Sequence, residues 1–136
     1  MKKELTKTME NIFSKGDIAP SDFFTGEVWV NMLLPKEHNE HYGIANVKFS
    51  PKARTHWHTH PAGQVLLVTS GKGYYQERGK PAISLKKGDI FEIPSYVEHW
   101  HGAADDSHFT HIALTNYKDG ENVTWLKAVT DEEYIS

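Results

Sequence analysis

The chain has 136 residues, no cysteine, 38% apolar and 24% charged residues, and a net charge of -3. That length allows one domain with its own core, and the composition excludes a disordered chain. Without thiols there is no disulfide framework, thiolate nucleophile or zinc-thiolate site, and the interspersed charges give no support to nucleic-acid binding or a basic membrane face.

Met1 to Met9 carries positive charge with no apolar run behind it, so it does not read as a signal peptide. No stretch approaches a membrane-spanning length, and a cytoplasmic protein is the expectation. Leu5, Met9, Ile12 and Phe13 recur at helical spacing and predict a short amphipathic N-terminal helix over 3–15, stopped by Gly16. Its apolar face would cap a barrel mouth or pack on a neighbouring subunit. Pro20-Ser21-Asp22 marks a turn before a first strand region at 27–34. The polar run Pro35 to His41 reads as a loop in which His38 and His41 are solvated.

From Gly43 onward short strands are predicted at 43–50, 54–60, 64–70, 73–78, 82–86, 89–94, 98–102, 108–117 and 122–126. No helical period intervenes, so the class is an all-β sandwich or barrel. Gly71-Lys72-Gly73, Arg78-Gly79-Lys80-Pro81 and Lys87-Gly88-Asp89 each supply a residue tolerant of the positive φ that tight hairpins need. Thr130-Asp131-Glu132-Glu133 has the form of a capping box and predicts a terminal turn of helix. The organisation expected is a lead-in over 1–25, a barrel over 26–126 and a tail over 127–136.

Histidines carry the chemistry. On an extended strand His56, His58 and His60 project to one face, and His99 and His101 do the same some forty positions later. Imidazole is the commonest protein ligand for divalent transition metals, and alternate histidines offer two nitrogens to one ion without bending the backbone. Gln64 adds a carbonyl oxygen four residues after His60. His111, in the run His111-Ile112-Ala113-Leu114, should also point inward, while Trp57 and Trp100 alternate the other way and should be core or subunit-interface residues. An imidazole near a metal can pass a proton, so His101 and His111 are candidate acid-base residues or else hydrogen-bonded supports for the ligands.

Read from His58, the chain gives His58-x-His60-x3-Gln64-x6-Gly71 and then Gly88-x5-Pro94-x4-His99, which resembles the two motifs of the cupins. Lys52 and Tyr96 stand where the motifs have Gly, Gln64 where they have Glu, and Ala103 where they have Asn. Ala53-Arg54-Thr55, Gly63-Gln64, His99-Trp100-His101-Gly102-Ala103-Ala104 and Thr110-His111 are more closely similar to the small bacterial cupins with manganese-dependent hydroxynitrile lyase activity. The resemblance implies a double-stranded β-helix, the cupin jelly-roll barrel, with His58, His60, Gln64 and His99 as metal ligands. Starting from His56 breaks the spacing, which leaves His56 as a candidate pocket residue.

Three imidazoles and an amide are all neutral, so a divalent ion would keep its full +2 charge and polarise a bound oxygen strongly. Donor types suit Mn2+, Fe2+, Ni2+ or Zn2+; the resemblance favours Mn2+. It implies a metal-dependent lyase acting on a small hydroxylated or carbonyl compound, with His101 or His111 as base. Two other readings stand beside it: an Fe2+ dioxygenase, and a non-catalytic cupin that binds a metal or small ligand. Because jelly-roll edges need cover, a homo-oligomer, dimer or tetramer, is expected.

Overall fold

The computed structural model describes residues 12–134. Two antiparallel sheets share one long strand, β7 (Gln64–Glu77), and curl around a common interior. The first sheet runs β1 (Asp17–Ile18), β3 (Val28–Leu34), β4 (Tyr42–Phe49), β11 (Phe109–Asn116), the first half of β7, and β9 (Ile90–Ile93). The second runs β2 (Phe24–Thr25), β5 (Arg54–Thr55), β10 (His99–Ala103), the second half of β7, and β8 (Ile83–Lys86). Strand β6 (His58–Thr59) also pairs with β10, and β12 (Thr124–Trp125) with β6. This is the all-β class that the strand pattern predicts, in the jelly-roll form that the resemblance implies.

Strict alternation fills the interior. Val47, Phe49, Leu66, Val68, Phe109 and Ala113 come from the first sheet and Tyr75, Leu85 and Ala103 from the second, all in one buried cluster. Burying a large apolar side chain stabilises the fold by about 1.5–3 kcal/mol, and several of these are fully enclosed. Trp57 and Trp100 form a separate buried cluster with Val129. The tail covers them through α1 (Asp131–Tyr134), which is closed by the predicted capping box: Glu133 N–H donates to Thr130 Oγ1 (3.1 Å) and Thr130 N–H to Glu133 Oε1 (2.9 Å). The Tyr134 hydroxyl then donates to the Ala103 carbonyl (2.6 Å), pinning the tail to β10.

Several sequence expectations are corrected. Residues 64–70 and 73–78 are not two hairpin strands: β7 runs straight through Gly71-Lys72-Gly73. Its residues up to Gly71 pair with β11, and those from Lys72 onward pair with β8 and β10, so Gly71 (φ 77°) is where one strand changes sheet. A register shift opposite Thr110 and His111 supplies the bend. Likewise 54–60 is two short pieces. Gly102 lies opposite Arg54 and His99 opposite His58, so one segment carries an extra residue relative to β10. There His56 N–H bonds the Phe23 carbonyl and Trp57 N–H the Lys127 carbonyl, taking both out of the ladder.

Strands β1 and β2 precede the expected barrel start at 26. Residues 3–11 of the expected N-terminal helix lie outside the described residues, and 12–15 are not helical. The two positions where a motif glycine is replaced keep a glycine's backbone: Lys52 has φ 72° and Tyr96 φ 64°.

Candidate metal centre

The mismatch between β6 and β10 decides which histidines meet. His58 and His99 face each other across the ladder, with ring centroids 4.2 Å apart. His60, just beyond β6, closes the group, and ligand-type nitrogens of all three lie within 4.8 Å of one another. Each ring is locked by a backbone carbonyl. Nδ1–H of His58 donates to the His56 carbonyl (2.8 Å), that of His60 to Asn122 (2.6 Å) and that of His99 to Val97 (2.8 Å). A carbonyl can only accept, so Nδ1 must carry the proton and each Nε2 keeps a free lone pair.

Two of those lone pairs are buried with nothing to bind in the protein. Nε2 of His60 and of His99 is buried without a hydrogen-bond partner, as is Oε1 of Gln64, while the Gln64 amide nitrogen donates to Thr115 Oγ1 (2.7 Å). Gln64 begins β7 directly opposite Thr115 on β11. Buried acceptors without donors are costly, and a cation is the partner that satisfies several at once. The residues therefore fit a divalent ion held by His58, His60 and His99, with Gln64 beside them.

Burial keeps these rings neutral, as ligation requires. It pushes His58 well below the usual imidazole range, helped by the neighbouring His99 and His60, and holds His99 at about 4. His60 is lowered by burial too, less so because the Asn122 carbonyl and the adjacent Gln64 amide favour its charged form, although no hydrogen bond joins it to Gln64.

A cavity of about 160 Å3 opens over the cluster. It is lined by His58, His60, Gln64, His101 and His111, and by apolar residues that include Phe24, Val30, Val47, Ala113 and Trp125. His99 joins the cluster without lining the cavity. His101 and His111 come together as a pair, His111 Nε2 lying 3.1 Å from His101 Nδ1. Nε2 of His101 and Nδ1 of His111 are buried and unpartnered. Burial, then the proximity of His111, takes His101 well below its ordinary pKa; burial takes His111 to about 3.

His56 is not brought to the cavity: its side chain is half-buried, and its contribution is the carbonyl that orients His58. His38, His41 and His108 are exposed. Sequence reading overlooked Thr115, Asn122 and Tyr117, which also line the cavity. For Thr115 a signal existed, because alternation from His111 places Ala113 and Thr115 on the same face. Asn122 acts through its backbone and leaves no trace in residue type.

Comparison with known proteins agrees with this geometry. Residues 45–114 match the family described as Cupin domain. The chain is 42% identical over 115 residues to an (R)-mandelonitrile lyase of Granulicella tundricola, spanning 85% of this chain and 88% of that one. It is 27% identical over 99 residues to an acireductone dioxygenase of Nostoc, spanning 70% of this chain but 52% of the other. A cupin-like protein from Thermotoga maritima of known crystal structure superposes with a TM-score of 0.88 at 54% identity, covering 91% of this chain and 94% of that one.

Proposed function

This chain belongs to the cupin family, and from that premise we propose that it is a metal-dependent enzyme of the hydroxynitrile-lyase type, cleaving a small cyanohydrin-like substrate. The observation that carries the reading is that the His101–His111 pair lines one small, largely apolar cavity together with His58 and His60 of the three-histidine cluster. A divalent ion, Mn2+ in this proposal, would be held by His58, His60, His99 and Gln64 and would supply Lewis acidity toward a substrate oxygen.

The protein's own groups account for the proton. With His101 Nδ1–H donating to His111 Nε2, the buried and otherwise unpartnered Nε2 of His101, a residue that lines the cavity, is the acceptor we assign to the substrate hydroxyl proton. As the O–H bond gives up its proton, the carbonyl forms, the C–C bond breaks and its electron pair leaves on the cyanide carbon. Nε2–H of His101 can then return the proton to cyanide, leaving aldehyde and hydrogen cyanide. His111 stabilises the transiently charged His101 ring by accepting from it, and the apolar walls exclude the water that would compete for the same proton. Burial depresses both pKa values and keeps both rings neutral at neutral pH, so the lone pair is present from the start; as a weak base His101 needs an acidified substrate hydroxyl, which a Lewis-acidic ion would supply.

The test is aldehyde release from racemic mandelonitrile by protein loaded with Mn2+, by chelator-stripped protein, and by His101→Ala and His111→Ala variants. Metal-dependent cleavage lost in His101→Ala supports the lyase and its base. The likeness to the Nostoc acireductone dioxygenase favours a second reading, oxygen activation with Fe2+. No release from mandelonitrile, together with oxygen uptake by the Fe2+-loaded protein, would select it.

A further inference from the structure

Oxygen and nitrogen of a glutamine amide occupy nearly the same volume, and only the first can ligate a cation as it stands. Which one Gln64 turns toward His58, His60 and His99 is therefore a question about its hydrogen bonds. The structure gives the amide a single hydrogen-bonding contact, Nε2–H to Thr115 Oγ1 at 2.7 Å, and leaves Oε1 buried and unpartnered on the other side. Thr115 is well placed for this. It pairs with Gln64 across β7 and β11, so the two side chains leave the sheet on one face, and both are buried. Its β-branched side chain has restricted rotamers, so the hydroxyl is held at a fixed point on the cavity wall.

We propose that Thr115 is a positioning residue that presents the Gln64 oxygen to the histidine cluster and so sets the site's preference for an oxygen-seeking divalent ion over zinc. The inference rests on the metal-site reading above. Three imidazoles already satisfy most of what zinc requires, since it is content with four ligands. Manganese takes more ligands and favours oxygen donors, so it depends on a correctly turned amide in a way that zinc does not. If the Thr115 acceptor is removed, the amide is free to rotate, its NH2 group competes for the cluster, and manganese loses more than zinc.

The experiment is a binding titration, independent of turnover. Chelator-stripped parent, Thr115→Val and Thr115→Ser proteins are titrated with Mn2+, followed by the spin-resonance signal of the free ion, and with Zn2+ in competition against a chromogenic chelator. Val keeps the shape of Thr and removes the acceptor; Ser keeps the hydroxyl. The expected result is Mn2+ affinity reduced roughly tenfold to a hundredfold in Thr115→Val, the usual size of an outer-support effect, with Zn2+ changed by only about threefold and Thr115→Ser close to parent. Equal losses for both ions, or Mn2+ binding in Thr115→Val as tight as in the parent, overturn the inference. A parent that binds neither ion overturns the metal reading itself, which is a different outcome.

Discussion

Among the described residues three that are not glycine stand in backbone positions that suit it, Asp119 (φ 53°) and the two at motif-glycine positions. Lys52 and Tyr96 hold φ values of 72° and 64°. A left-handed conformation costs an L-residue about 1–2 kcal/mol, while glycine costs about 0.5–1 kcal/mol through the unfolded chain. Lys52 is exposed and lends its backbone N–H to the Ala104 carbonyl, a bond glycine would keep. Lys52→Gly should therefore raise the stability by up to about 1 kcal/mol in a urea melt; a clear loss would show that the lysine side chain contributes something its exposure hides. His111 gives the opposite kind of prediction. Its folded pKa of about 3 lies below the ordinary 6.5, so the unfolded chain takes up the proton first as pH falls. Its contribution is complete above pH 6.5 and is lost as pH drops toward 3, at about 1.4 kcal/mol per unit inside that window. In metal-stripped protein, His111→Gln should flatten the fall of stability with acidification; unchanged slopes would clear His111 of any part in it.

At the scale of elements, glycines separate a turn from a crossing. At Gly71, where β7 passes between sheets, a Cβ would run into the His108 carbonyl oxygen, and φ is 77°. Gly79 has a similar φ of 81° but nothing within 4 Å of an added Cβ. Gly79→Ala should cost up to about 1 kcal/mol, the left-handed conformation offset in part by the smaller entropy of the unfolded alanine chain, and Gly71→Ala substantially more, because the clash is with backbone that cannot step aside. Thermal melts of the pair test this, and equal costs would mean that the bend at Gly71 is freely adjustable. The same contrast explains what was legible in the sequence. Alternation and turn residues located most strands within a residue or two, but a glycine that lets a strand change sheets is spelt like a glycine that ends one. The split at His56 and Trp57 was hidden for a similar reason. It depends on carbonyls of Phe23 and Lys127, partners far away in the chain.

Across the whole molecule, the histidine cluster was legible because alternation is a local property that survives folding at β6 and β10, even though the extra residue between β5 and β6 removed His56 from it. What the spacing could not show is how the ligands are held. Carbonyls of His56, Val97 and Asn122 fix the rings, and they are backbone groups that any residue could supply. If the cluster holds a divalent ion as proposed, stability is tied to that ion. The proposed ligands lie on β10, at the start of β7 and at or just beyond β6, and the unfolded chain scatters them. An ion that binds only the folded chain adds stability of about 2.7 kcal/mol when present at a hundred times its dissociation constant. Chelation should therefore lower the melting temperature, and restored Mn2+ should recover it in proportion to the logarithm of its concentration. His99→Ala should abolish that dependence while leaving the cavity walls in place, since His99 joins the cluster without lining the cavity. A melting temperature indifferent to chelator and Mn2+ in the parent would mean that the buried lone pairs of His60 and His99 are met by water, and that the cluster is a polar core and not a metal site.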